Sequence, residues 1–527
     1  MIRPFGEHAL LAEVDSLGEV LDLHRSLRAT RPSGVVDLVP AARTVLVRVD
    51  PRALSLAAAR AWVEGADAAP LAAEVAAAET VDVPIVYDGK DLGDVASALA
   101  VSVDALVAQH SGASWTVAFT GFAPGFGYLV SDDWPYDVPR LESPRTRVPA
   151  GSVGLAGEFS GAYPRDTPGG WQLIGTTTGT LFDPAAARSS LLRPGDLVRF
   201  RPARASVATG DPAARLGEGE GRSSGGQARH EEQRSLADAS PDAAFTVLAA
   251  GPLTTAQDLG RPGHLAEGVA ISGAADRGSL RIANRLVGND EGAAALEITL
   301  GGFRATAHRD LWIAVTGAWG PLRIAGRAVD PFRAHLWPAG TDLEVAPYAA
   351  GVRGCLAVRG GVDAPAALGS RASDTLARLG PARLADGDAI AVGDHVAAPV
   401  PAVDVHPWGP PPAALAIPLS PGPRADWFSP QAYAQLFDAV WSVSADADRV
   451  GIRLDGPPLV RTHPGELPSE GMVPGAVQVP PNGLPVVLGP DGPVTGGYPV
   501  IAVVTDAGRD LLAQARPGSR VRFRPAR

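Results

Sequence analysis

The sequence predicts a mainly β protein with additional α+β structure, in which several copies of one β module follow a small α/β domain. Its 61 glycines and 49 prolines stand between short apolar runs as turn residues, which favours turn-rich β structure over disorder. Residues 193–202 and 516–525 repeat almost the same ending, an Arg-Pro-Gly turn followed by a strand. Repetition of this kind is typical of duplicated modules.

Residues 1–80 alternate between strand and helix patterns. The first helical pattern places apolar side chains three and four residues apart, and the second is rich in alanine. In chain order these patterns occupy residues 9–14, 17–27, 35–39, 44–49 and 54–63. This order predicts a ferredoxin-like α/β domain.

Residues 81–202 change to a β texture. A strand pattern at 83–87 is followed by a helical pattern at 91–110 and by an aromatic run at 115–129. Glycine and proline prevent the aromatic run from forming one continuous helix. Its aromatic side chains can line a pocket or fill a core, and the sequence leaves both alternatives open.

Residues 203–244 lose apolar periodicity, most clearly at 217–226. A segment without apolar periodicity cannot repay the entropy lost on ordering, so a flexible linker is predicted here. A flexible coil of about forty residues spans roughly 35 Å, which would allow two globular halves to pack side by side.

The second half, residues 245–527, begins with a strand and a polar loop. Asp276 then precedes a predicted helix at 277–287, in which Asn284 lies on the same face as apolar side chains. Short strands dominate afterwards. Further helical structure is predicted at residues 364–368 and 430–440.

Residues 469–498 resemble the rim of a binding site, because polar side chains stand at the joints between short strands. Glycine and proline turns allow close approach of a ligand, and the flanking strands hold the polar groups in place. Residues 148–171 use similar parts in a similar order, so the glycines and prolines are partly a signature of the repeated fold. The polar residues that the repeat does not require remain candidates: Glu470, Gln478 and Asp491.

Composition limits the function classes. The length predicts three to four domains, and a net charge of −11 without a basic stripe argues against a nucleic-acid or anionic-membrane partner. Early charges at Glu7, Glu13 and Asp15 argue against a signal peptide, and no run of about 18 apolar residues occurs. Cys355 is the only cysteine, so we expect an inert, buried thiol and a reducing cytoplasm.

Lysine is almost absent. Lys90 is the only one, and its surroundings do not match a phosphate-binding loop, which needs lysine followed by serine or threonine. No Met-Lys pair is present to carry biotin. A separate protein would therefore have to bring a conventional nucleotide loop or a biotin group.

At these motifs the chain resembles two known proteins of one enzyme family. Residues 1–202 are similar to the small Kip-type protein, which is the B subunit of 5-oxoprolinase and is also called allophanate hydrolase subunit 1. Residues 245–527 resemble the larger C subunit of 5-oxoprolinase. The first resemblance depends on residues 122–129, 143–145, 148–153 and 168–171. The second depends on residues 257–261, 272–276, 283–289, 296–297, 369–371 and 469–498.

The resemblance implies cyclophilin-like β-barrels, one in residues 81–202 and two pseudo-symmetric ones in residues 245–527. It implies an ATP-dependent opening of 5-oxo-L-proline to L-glutamate, with a third subunit of the lactam-utilisation type and with oligomer formation. ATP, with Mg²⁺ or on the partner subunit, would be the cofactor. Two alternatives stay open: the carboxyltransferase part of a biotin-dependent urea or allophanate pathway enzyme, and a non-enzymatic module that inhibits a sporulation histidine kinase.

The chain departs from the family pattern at a few positions. Phe159 stands where the pattern has glutamine, Pro493 and Val494 interrupt an Asp-Arg-Gln-Thr-Thr run, and Ala275 replaces methionine. These changes bear on the detail of the pockets and leave the expected fold unchanged.

Lactam opening requires a general base and groups that stabilise developing negative charge. The candidate catalytic carboxylates are Asp276, Glu297, Glu470 and Asp491. Arginine suits oxyanions. The candidate binding residues are Arg145, Ser152, Asp258, Arg261, Ser272, Asn284, Arg371, Gln478, Thr495 and Tyr498.

Several candidates have a structural alternative. Asp276 directly precedes a helix and can be its N-cap. Strand alternation can turn Glu297 to solvent, and Arg145 can be a surface charge in a loop. The ten histidines show no spacing typical of metal ligands, so no metal site is predicted.

Overall fold

The structure is a computed structural model that describes residues 1–66, 79–141, 143–204, 243–402, 406, 409–410, 412, 414–463, 465 and 467–526. Most of these residues belong to short strands and turns, which confirms the predicted mainly β architecture. The predicted linker, residues 203–244, lies outside the described residues except for two residues at each end. Within the described ranges no single helix has the length and apolarity needed to cross a membrane, and one bent helix pair passes by length and composition only.

The N-terminal unit, residues 1–66, is a four-stranded antiparallel sheet with two helices, in the strand order β1-β2-β4-β3. Its elements are β1 (Ile2–Phe5), β2 (Ala9–Glu13), α1 (Leu17–Ala29), β3 (Val35–Pro40), β4 (Thr44–Val49) and α2 (Leu56–Glu64). Ser16 and Ser55 start the helices, because each hydroxyl accepts a hydrogen bond from a backbone N–H three residues later. The predicted strands and helices of this unit are present. The ferredoxin-like assignment stays a prediction. In this sheet β1 is an edge strand, and it pairs with β2.

The first barrel, residues 79–204, is a seven-stranded sheet in the order β12-β9-β10-β7-β6-β13-β5. A bridge between Val86 and Thr176 joins its two edges. Strands β8 and β11 form a separate ribbon. The elements are β5 (Thr80–Ile85), α3 (Leu92–Ala98), α4 (Val103–Gly112), β6 (Trp115–Thr120), β7 (Gly127–Val130), β8 (Arg145–Val148), β9 (Ser152–Ala156), β10 (Phe159–Ala162), β11 (Thr167–Gly169), β12 (Gln172–Thr176) and β13 (Leu197–Pro202).

The structure refines two of the sequence-based predictions for the first barrel. The single helical pattern at 91–110 forms two helices separated by a turn. The aromatic run at 115–129 mostly fills the core, since Trp115, Phe119 and Phe126 are buried, whereas Phe122 is 42% exposed. Of the two alternatives left open by the sequence, core packing describes most of this run.

The middle unit, residues 243–402, packs two sheets around one core. The sheet orders are β20-β19-β22-β17-β14-β25-β24 and β15-β16-β23-β18-β21. The elements are β14 (Phe245–Ala249), β15 (Leu253–Gln257), α5 (Arg277–Leu286), β16 (Ala295–Thr299), β17 (Phe303–Ala307), β18 (Leu311–Trp319), β19 (Leu322–Ile324), β20 (Arg327–Val329), β21 (His335–Trp337), β22 (Asp342–Val345), β23 (Ala350–Val358), β24 (Val362–Asp363) and β25 (Ala389–Val392).

Helix α5 covers the outer face of the second sheet of the middle unit. Leu280 and Ala283 pack there against Cys355, which is buried as expected. The predicted helix at 277–287 is confirmed, whereas the helical turn predicted at 364–368 is wrong. There Leu368 has a φ of 53° inside a bridged turn, because a tight reversal needs a left-handed residue that a helix excludes.

The last barrel, residues 414–526, is closed in the order β26-β33-β30-β31-β28-β27-β34. The helix predicted at 430–440 is present as α6. Strands β29 and β32 form a ribbon outside the closed barrel. The elements are β26 (Ala414–Pro421), α6 (Pro430–Asp438), β27 (Trp441–Val443), β28 (Gly451–Asp455), β29 (Glu470–Gly471), β30 (Ala476–Gln478), β31 (Val486–Leu488), β32 (Thr495–Gly496), β33 (Val500–Val504), α7 (Asp506–Leu512) and β34 (Arg520–Pro525).

The first and last barrels repeat one topology. In each, the first and last strands pair in parallel, and the remaining strands follow in the same order. Trp115 and Trp441 occupy matching places, and each indole N–H donates to a carbonyl five residues earlier at 3.0 Å. The repeat predicted from the sequence is thus present in space. The names cyclophilin-like and pseudo-symmetric stay predictions, since the middle unit consists of two sheets.

The N-terminal unit and the last barrel share one hydrophobic core. Phe5, Leu11 and Leu46 pack in it with Met472 and Val503. The contact is close at β29, since a Cβ atom added to Gly471 would lie 2.8 Å from the Cβ atom of Leu46. The two ends of the chain therefore form one continuous structure at this face.

Candidate functional site

A cavity of about 340 Å³ lies where the N-terminal unit, the middle unit and the last barrel meet. This volume is in the range of small-molecule pockets. Part of its wall is apolar, and the rest carries His8, six arginines and four carboxylates. The charged residues are Arg48, Arg52, Arg277, Arg281, Arg353, Arg509, Glu7, Asp50, Asp448 and Asp506.

Arg449 is the centre of a buried charge network beside this cavity. Its Nε and Nη2 atoms each donate to Asp491 at 2.9 Å, and its Nη1 atom donates to Glu297 at 2.6 Å. Nη2 also donates to the carbonyl of Gly273 at 2.7 Å. Burial alone would lower the pKa of Arg449, but the two carboxylates outweigh burial and raise it. The guanidinium therefore stays charged and ties the last barrel to the middle unit.

Local turn chemistry presents Arg449. The preceding residue, Asp448, accepts hydrogen bonds from the backbone N–H groups of Val450 at 2.8 Å and Gly451 at 3.0 Å. Such a side-chain turn fixes the backbone just before β28 begins. The guanidinium thus leaves the barrel in a defined direction.

Asp491 connects the network to the cavity wall. It accepts hydrogen bonds from the Ser272 hydroxyl at 2.7 Å and from the Thr375 N–H and hydroxyl at 2.9 and 2.8 Å. Burial acts to raise the pKa of Asp491, but Arg449 and these donors outweigh burial and lower it. For Asp374, burial and the nearby Asp491 raise the pKa to about 7. Ser272 lines the cavity, so its hydrogen bond links Asp491 to the cavity wall.

Asp276 is both an N-cap and a member of the same region. It caps α5 by accepting from Ser279 N–H at 2.8 Å, and it also accepts from the Ser279 hydroxyl at 2.7 Å and from Gln514 at 2.6 Å. Burial raises the pKa of Asp276, and the charge of Glu297 adds to the rise. Asp276 is therefore the N-cap of α5, as the structural alternative predicted, and it also lies next to the other residues of the site.

Glu297 points inward from β16. It is 2% exposed, accepts from the backbone N–H of Ala275 at 2.8 Å and lies 3.6 Å from Nε of Arg353. The alternative that alternation turns Glu297 to solvent is wrong, because α5 and the last barrel cover this face of the sheet. The structure thus brings Asp276, Glu297, Asp491 and Ser272 together.

Two predicted residues lie elsewhere, in ion pairs. Arg145 contacts Asp91 at 2.6 Å, and it donates to the carbonyl of Trp171 at 3.0 Å. Glu470 accepts from Nε of Arg424 at 2.9 Å. Neither Arg145 nor Glu470 lines the cavity. Their functional roles stay predictions.

Asp258 and Asn284 fasten loops in the middle unit. Asp258 accepts from Gly260 N–H, the Ser370 hydroxyl and Arg371 N–H, each at 2.7 Å. The side-chain amide of Asn284 donates to the carbonyl of Ala293 at 2.7 Å. The guanidinium of Arg371 binds Asp363 at 3.0 Å. These contacts within the protein give the polar side chains partners even when no ligand is bound. The ligand-binding roles of Asp258, Asn284 and Arg371 stay predictions.

The remaining candidates are dispersed. Gln478 is buried and contacts the Met472 sulfur at 3.3 Å, and Thr495 packs against Gly121. Ser152 is buried at the start of β9, and Tyr498 is 40% exposed. Arg261 is buried, donates to the carbonyl of Ala372, and has no hydrogen-bond partner for Nε or Nη1 in the described part of the chain.

Sequence reasoning missed the residues that hold the site together. These are Arg449, Arg353, Gln514, Thr375 and Asp374. A local signal existed only for Arg449, which follows two aspartates in the run 446–449 directly before an apolar strand. The others contact the site through pairings between distant segments, such as Gln514 with Asp276.

The cavity lining does not contain the features of a conventional phosphate-binding loop. Lys90, the only lysine, is not among the lining residues of the cavity, and those residues include no glycine-rich phosphate loop. Glu7, His8 and Asp506 bring ligand atoms within 4.8 Å of one another, but Asp506 already binds His8 at 2.9 Å and Arg509 at 2.6 Å. We assign neither a nucleotide nor a metal ion to these residues.

Comparison with protein families covers both halves of the chain. The carboxyltransferase domain, subdomain C and D, matches residues 1–192, and the carboxyltransferase domain, subdomain A and B, matches residues 267–525. The C subunit of 5-oxoprolinase from Escherichia coli K12 is 39% identical over 282 residues, which are 53% of this chain and 89% of that protein. The B subunit of 5-oxoprolinase from Escherichia coli O157:H7 is 42% identical over 182 residues, which are 33% of this chain and 80% of that protein.

A solved structure shows the two halves in one chain. The crystal structure of TTHA0988 has a TM-score of 0.84 and 35% identity, and the match covers 99% of this chain and 100% of that one. Urea amidolyase of Lachancea kluyveri is 31% identical over 314 residues, which are 54% of this chain and 17% of that protein. Because the match to TTHA0988 covers both chains almost completely, the two halves occur in the same order within that single chain.

Proposed function

The chain belongs to the carboxyltransferase-domain family and joins regions related to the B and C subunits of 5-oxoprolinase, and from this we propose that it is a component of an ATP-dependent 5-oxoprolinase. Such an enzyme opens 5-oxo-L-proline to L-glutamate. The observation that carries the proposal is the match of both halves to subunits of one enzyme. The cavity lined by the N-terminal unit together with the middle unit and the last barrel supports it.

The chemistry requires attack on a stable amide. Water adds to the lactam carbonyl carbon, the ring C–N bond breaks, and the ring nitrogen takes up a proton as the amine forms. A base must remove a proton from the water, and cationic or N–H groups must stabilise the oxyanion. The cavity offers several arginines for the second task.

Asp276 is the base that we favour among the four predicted carboxylates. Glu297 and Asp491 are bound by Arg449, and Glu470 by Arg424, whereas Asp276 forms no ion pair within the described residues. Burial raises its pKa, which brings a carboxylate closer to the operating range of a base. Asp276 is not itself among the lining residues, although its neighbours Ala275 and Arg277 are, so contact with substrate requires it to leave its hydrogen bonds to Gln514 and Ser279.

The nucleotide and the remaining protein are assigned to a partner. We propose that a subunit of the lactam-utilisation type binds ATP and completes an oligomer with this chain in the cytoplasm. The support is that the relatives are named as separate subunits and that the cavity lacks a triphosphate loop.

Co-purification of the chain with such a partner tests the proposal. We expect 5-oxoproline-dependent formation of ADP and glutamate, and a loss of at least about a hundredfold in turnover for Asp276→Asn. Asp446→Asn is a matched control, since Asp446 is exposed and outside the cavity lining. Absence of glutamate with the partner present would contradict the proposal.

Carboxyl transfer is the second candidate function. It is favoured by the family description and by the likeness of 54% of this chain to a urea amidolyase. In that case the complex should accept a carboxyl group from a separate biotinylated protein and pass it to urea. Assays with urea and with 5-oxoproline on the same preparation separate the two functions.

A further inference from the structure

Three arginines stand close together on one side of the cavity. Arg277 and Arg281 are one helical turn apart on α5, and Arg509 comes from α7 of the last barrel. Burial first, and then the charges of Arg509 and Arg281, lower the pKa of Arg277 to about 10. The three like charges therefore lie within interaction distance of one another.

Their counter-charges are incomplete. Arg509 binds Asp506 at 2.6 Å, but Asp506 is also bound by His8 at 2.9 Å. Arg281 lies 3.9 Å from Glu291, beyond hydrogen-bond distance. Asp510 accepts from the backbone N–H of Arg277 at 2.9 Å and not from its guanidinium.

Two buried donors of this group have no acceptor. The Nε atoms of Arg277 and Arg509 lack a hydrogen-bond partner in the described ranges. A buried donor left without an acceptor is costly, and a charged donor more so. These two Nε atoms are closed off from solvent, so a bound anion would reach Arg277 and Arg509 through those of their atoms that line the cavity.

The remaining wall is mixed: the N-terminal unit brings Glu7, His8, Arg48, Asp50 and Arg52 to it, but it also offers apolar surface. Apolar side chains from the N-terminal unit and the middle unit line it, including Phe5, Val36, Val49 and Ile271. A cavity of about 340 Å³ that offers the three arginines together with apolar surface suits a compact organic anion.

We propose that Arg277, Arg281 and Arg509 form an oxyanion clamp that holds the carboxylate or phosphoryl group of a compact amide whose ring lies against the N-terminal unit. The clamp deepens the proposed function and rests on it, because 5-oxoproline is a small ring that carries one carboxylate. It also explains why the cavity needs both halves of the chain: α5 and α7 supply the cations, and the N-terminal unit supplies apolar wall.

Calorimetric titration of the full chain tests the clamp without turnover. The probes are 5-oxo-L-proline, 2-pyrrolidinone, which is the same ring without the carboxylate, and inorganic phosphate. We expect 5-oxoproline to bind at least about tenfold more tightly than 2-pyrrolidinone, because charge-assisted hydrogen bonds are the strong ones. Phosphate should compete with 5-oxoproline if the clamp recognises a tetrahedral oxyanion as well as a carboxylate.

Variants locate the binding. Arg277→Gln and Arg509→Gln should each weaken 5-oxoproline binding about tenfold and leave 2-pyrrolidinone unchanged. Arg285→Gln is the matched control, since Arg285 is exposed on the same helix. If a variant does not fold, the comparison of the three probes on the unaltered chain still decides.

The outcomes separate the clamp from the proposed function. Equal binding of 5-oxoproline and 2-pyrrolidinone, no anion binding, or unchanged affinity in both variants would overturn the clamp. Anion binding that Arg277→Gln weakens supports it even if the complex with the partner makes no glutamate, an outcome that would contradict only the proposed function.

Discussion

The first and last barrels place an ion pair at the same position with the charges exchanged. In the first barrel, the Asp91 N–H bonds the Leu173 carbonyl and its carboxylate binds Arg145. In the last barrel, the Arg424 N–H bonds the Val500 carbonyl and its guanidinium binds Glu470. Arg145 and Glu470 also have matching places, each opposite a glycine of the neighbouring ribbon strand.

The exchange shows that this position of the barrel accommodates an ion pair of either polarity. Its surroundings differ, since Arg424 also binds Glu13 of the N-terminal unit at 2.9 Å. The pair in the last barrel therefore connects two units, whereas the contacts of the Asp91–Arg145 pair stay within its barrel.

The barrels also differ in two connecting segments. Between its second and third barrel strands in chain order, the first barrel has the aromatic loop 121–126, and the last barrel has the loop 444–450 with Arg449. Before the final strand, the last barrel has α7 with Arg509, where residues 177–196 of the first barrel contain no helix. Both segments of the last barrel contribute to the cavity region. The site lies where the two copies differ.

Arg449→Met should have the largest effect. It leaves Asp491 and Glu297 buried without their cation, so the free energy of unfolding should fall by about 3–5 kcal/mol and turnover should be lost. Denaturant unfolding measured by tryptophan fluorescence and the glutamate assay check this. Arg453→Met, at an exposed arginine of β28, is the control. If Arg449→Met and Arg453→Met had the same free energy of unfolding, the ion pairs of Arg449 would not stabilise the fold.

Reversing the charge in the first barrel should have the next largest effect. Arg145→Glu places two carboxylates together, and we expect a loss of about 3 kcal/mol in the free energy of unfolding. The double variant Asp91→Arg, Arg145→Glu copies the charges of the last barrel and should regain more than half of this loss. A double variant no more stable than Arg145→Glu would mean that the two positions are not equivalent.

Glu470→Gln should have a smaller effect. Glutamine can still accept from Arg424 but is uncharged, so we expect a loss of about 1–2 kcal/mol and turnover within threefold of the unaltered chain. Asp276→Asn in parallel provides the comparison for a residue of the site. A hundredfold fall in turnover for Glu470→Gln, with its folding intact, would instead place Glu470 in the reaction, as the sequence predicts.

Asp510 of α7, the helix found only in the last barrel, should give the smallest effect. Burial and the charge of Asp276 raise the pKa of Asp510 from 3.8 to about 6. The folded chain then holds this proton more tightly than the unfolded chain, so stability from this group falls as pH rises from about 4 to about 6. Asp510→Asn should remove that fall.

The expected gain for Asp510→Asn at pH 7 is about 1 kcal/mol, after allowance for partial exposure, and it should vanish near pH 4. Unfolding measured at both values checks the sign. A gain that is the same at both pH values would show that proton binding is not its cause.

Much of the fold could be predicted from local pattern. Apolar periodicity located α1, α2, α5 and α6, and the repeated Arg-Pro-Gly endings located the final strands of both end barrels. The pattern failed at 364–368, where alanines suggested helix but Leu368 takes a left-handed conformation in a bridged turn. Tertiary contacts override weak helix propensity there.

The candidate site was predictable only in part. Asp276, Glu297, Asp491 and Ser272 were selected because they lie in turn-rich or family-like motifs, and they come together. Glu470 was selected on the same grounds, yet it pairs with Arg424 away from the cavity. A motif shows which residue types are available and does not show the direction in which a barrel segment faces.

The sequence by itself determined the strand-rich architecture, the duplicated barrel and the set of carboxylates, because these depend on local periodicity, turn residues and composition. Only the tertiary structure decided which carboxylates share Arg449, because Glu297 and Asp491 are almost two hundred residues apart and meet through packing of the middle unit on the last barrel. It also decided that three arginines from α5 and α7 line one cavity together with apolar and charged residues of the N-terminal unit. Coulomb energies depend on distances in space, and sequence spacing does not give those distances.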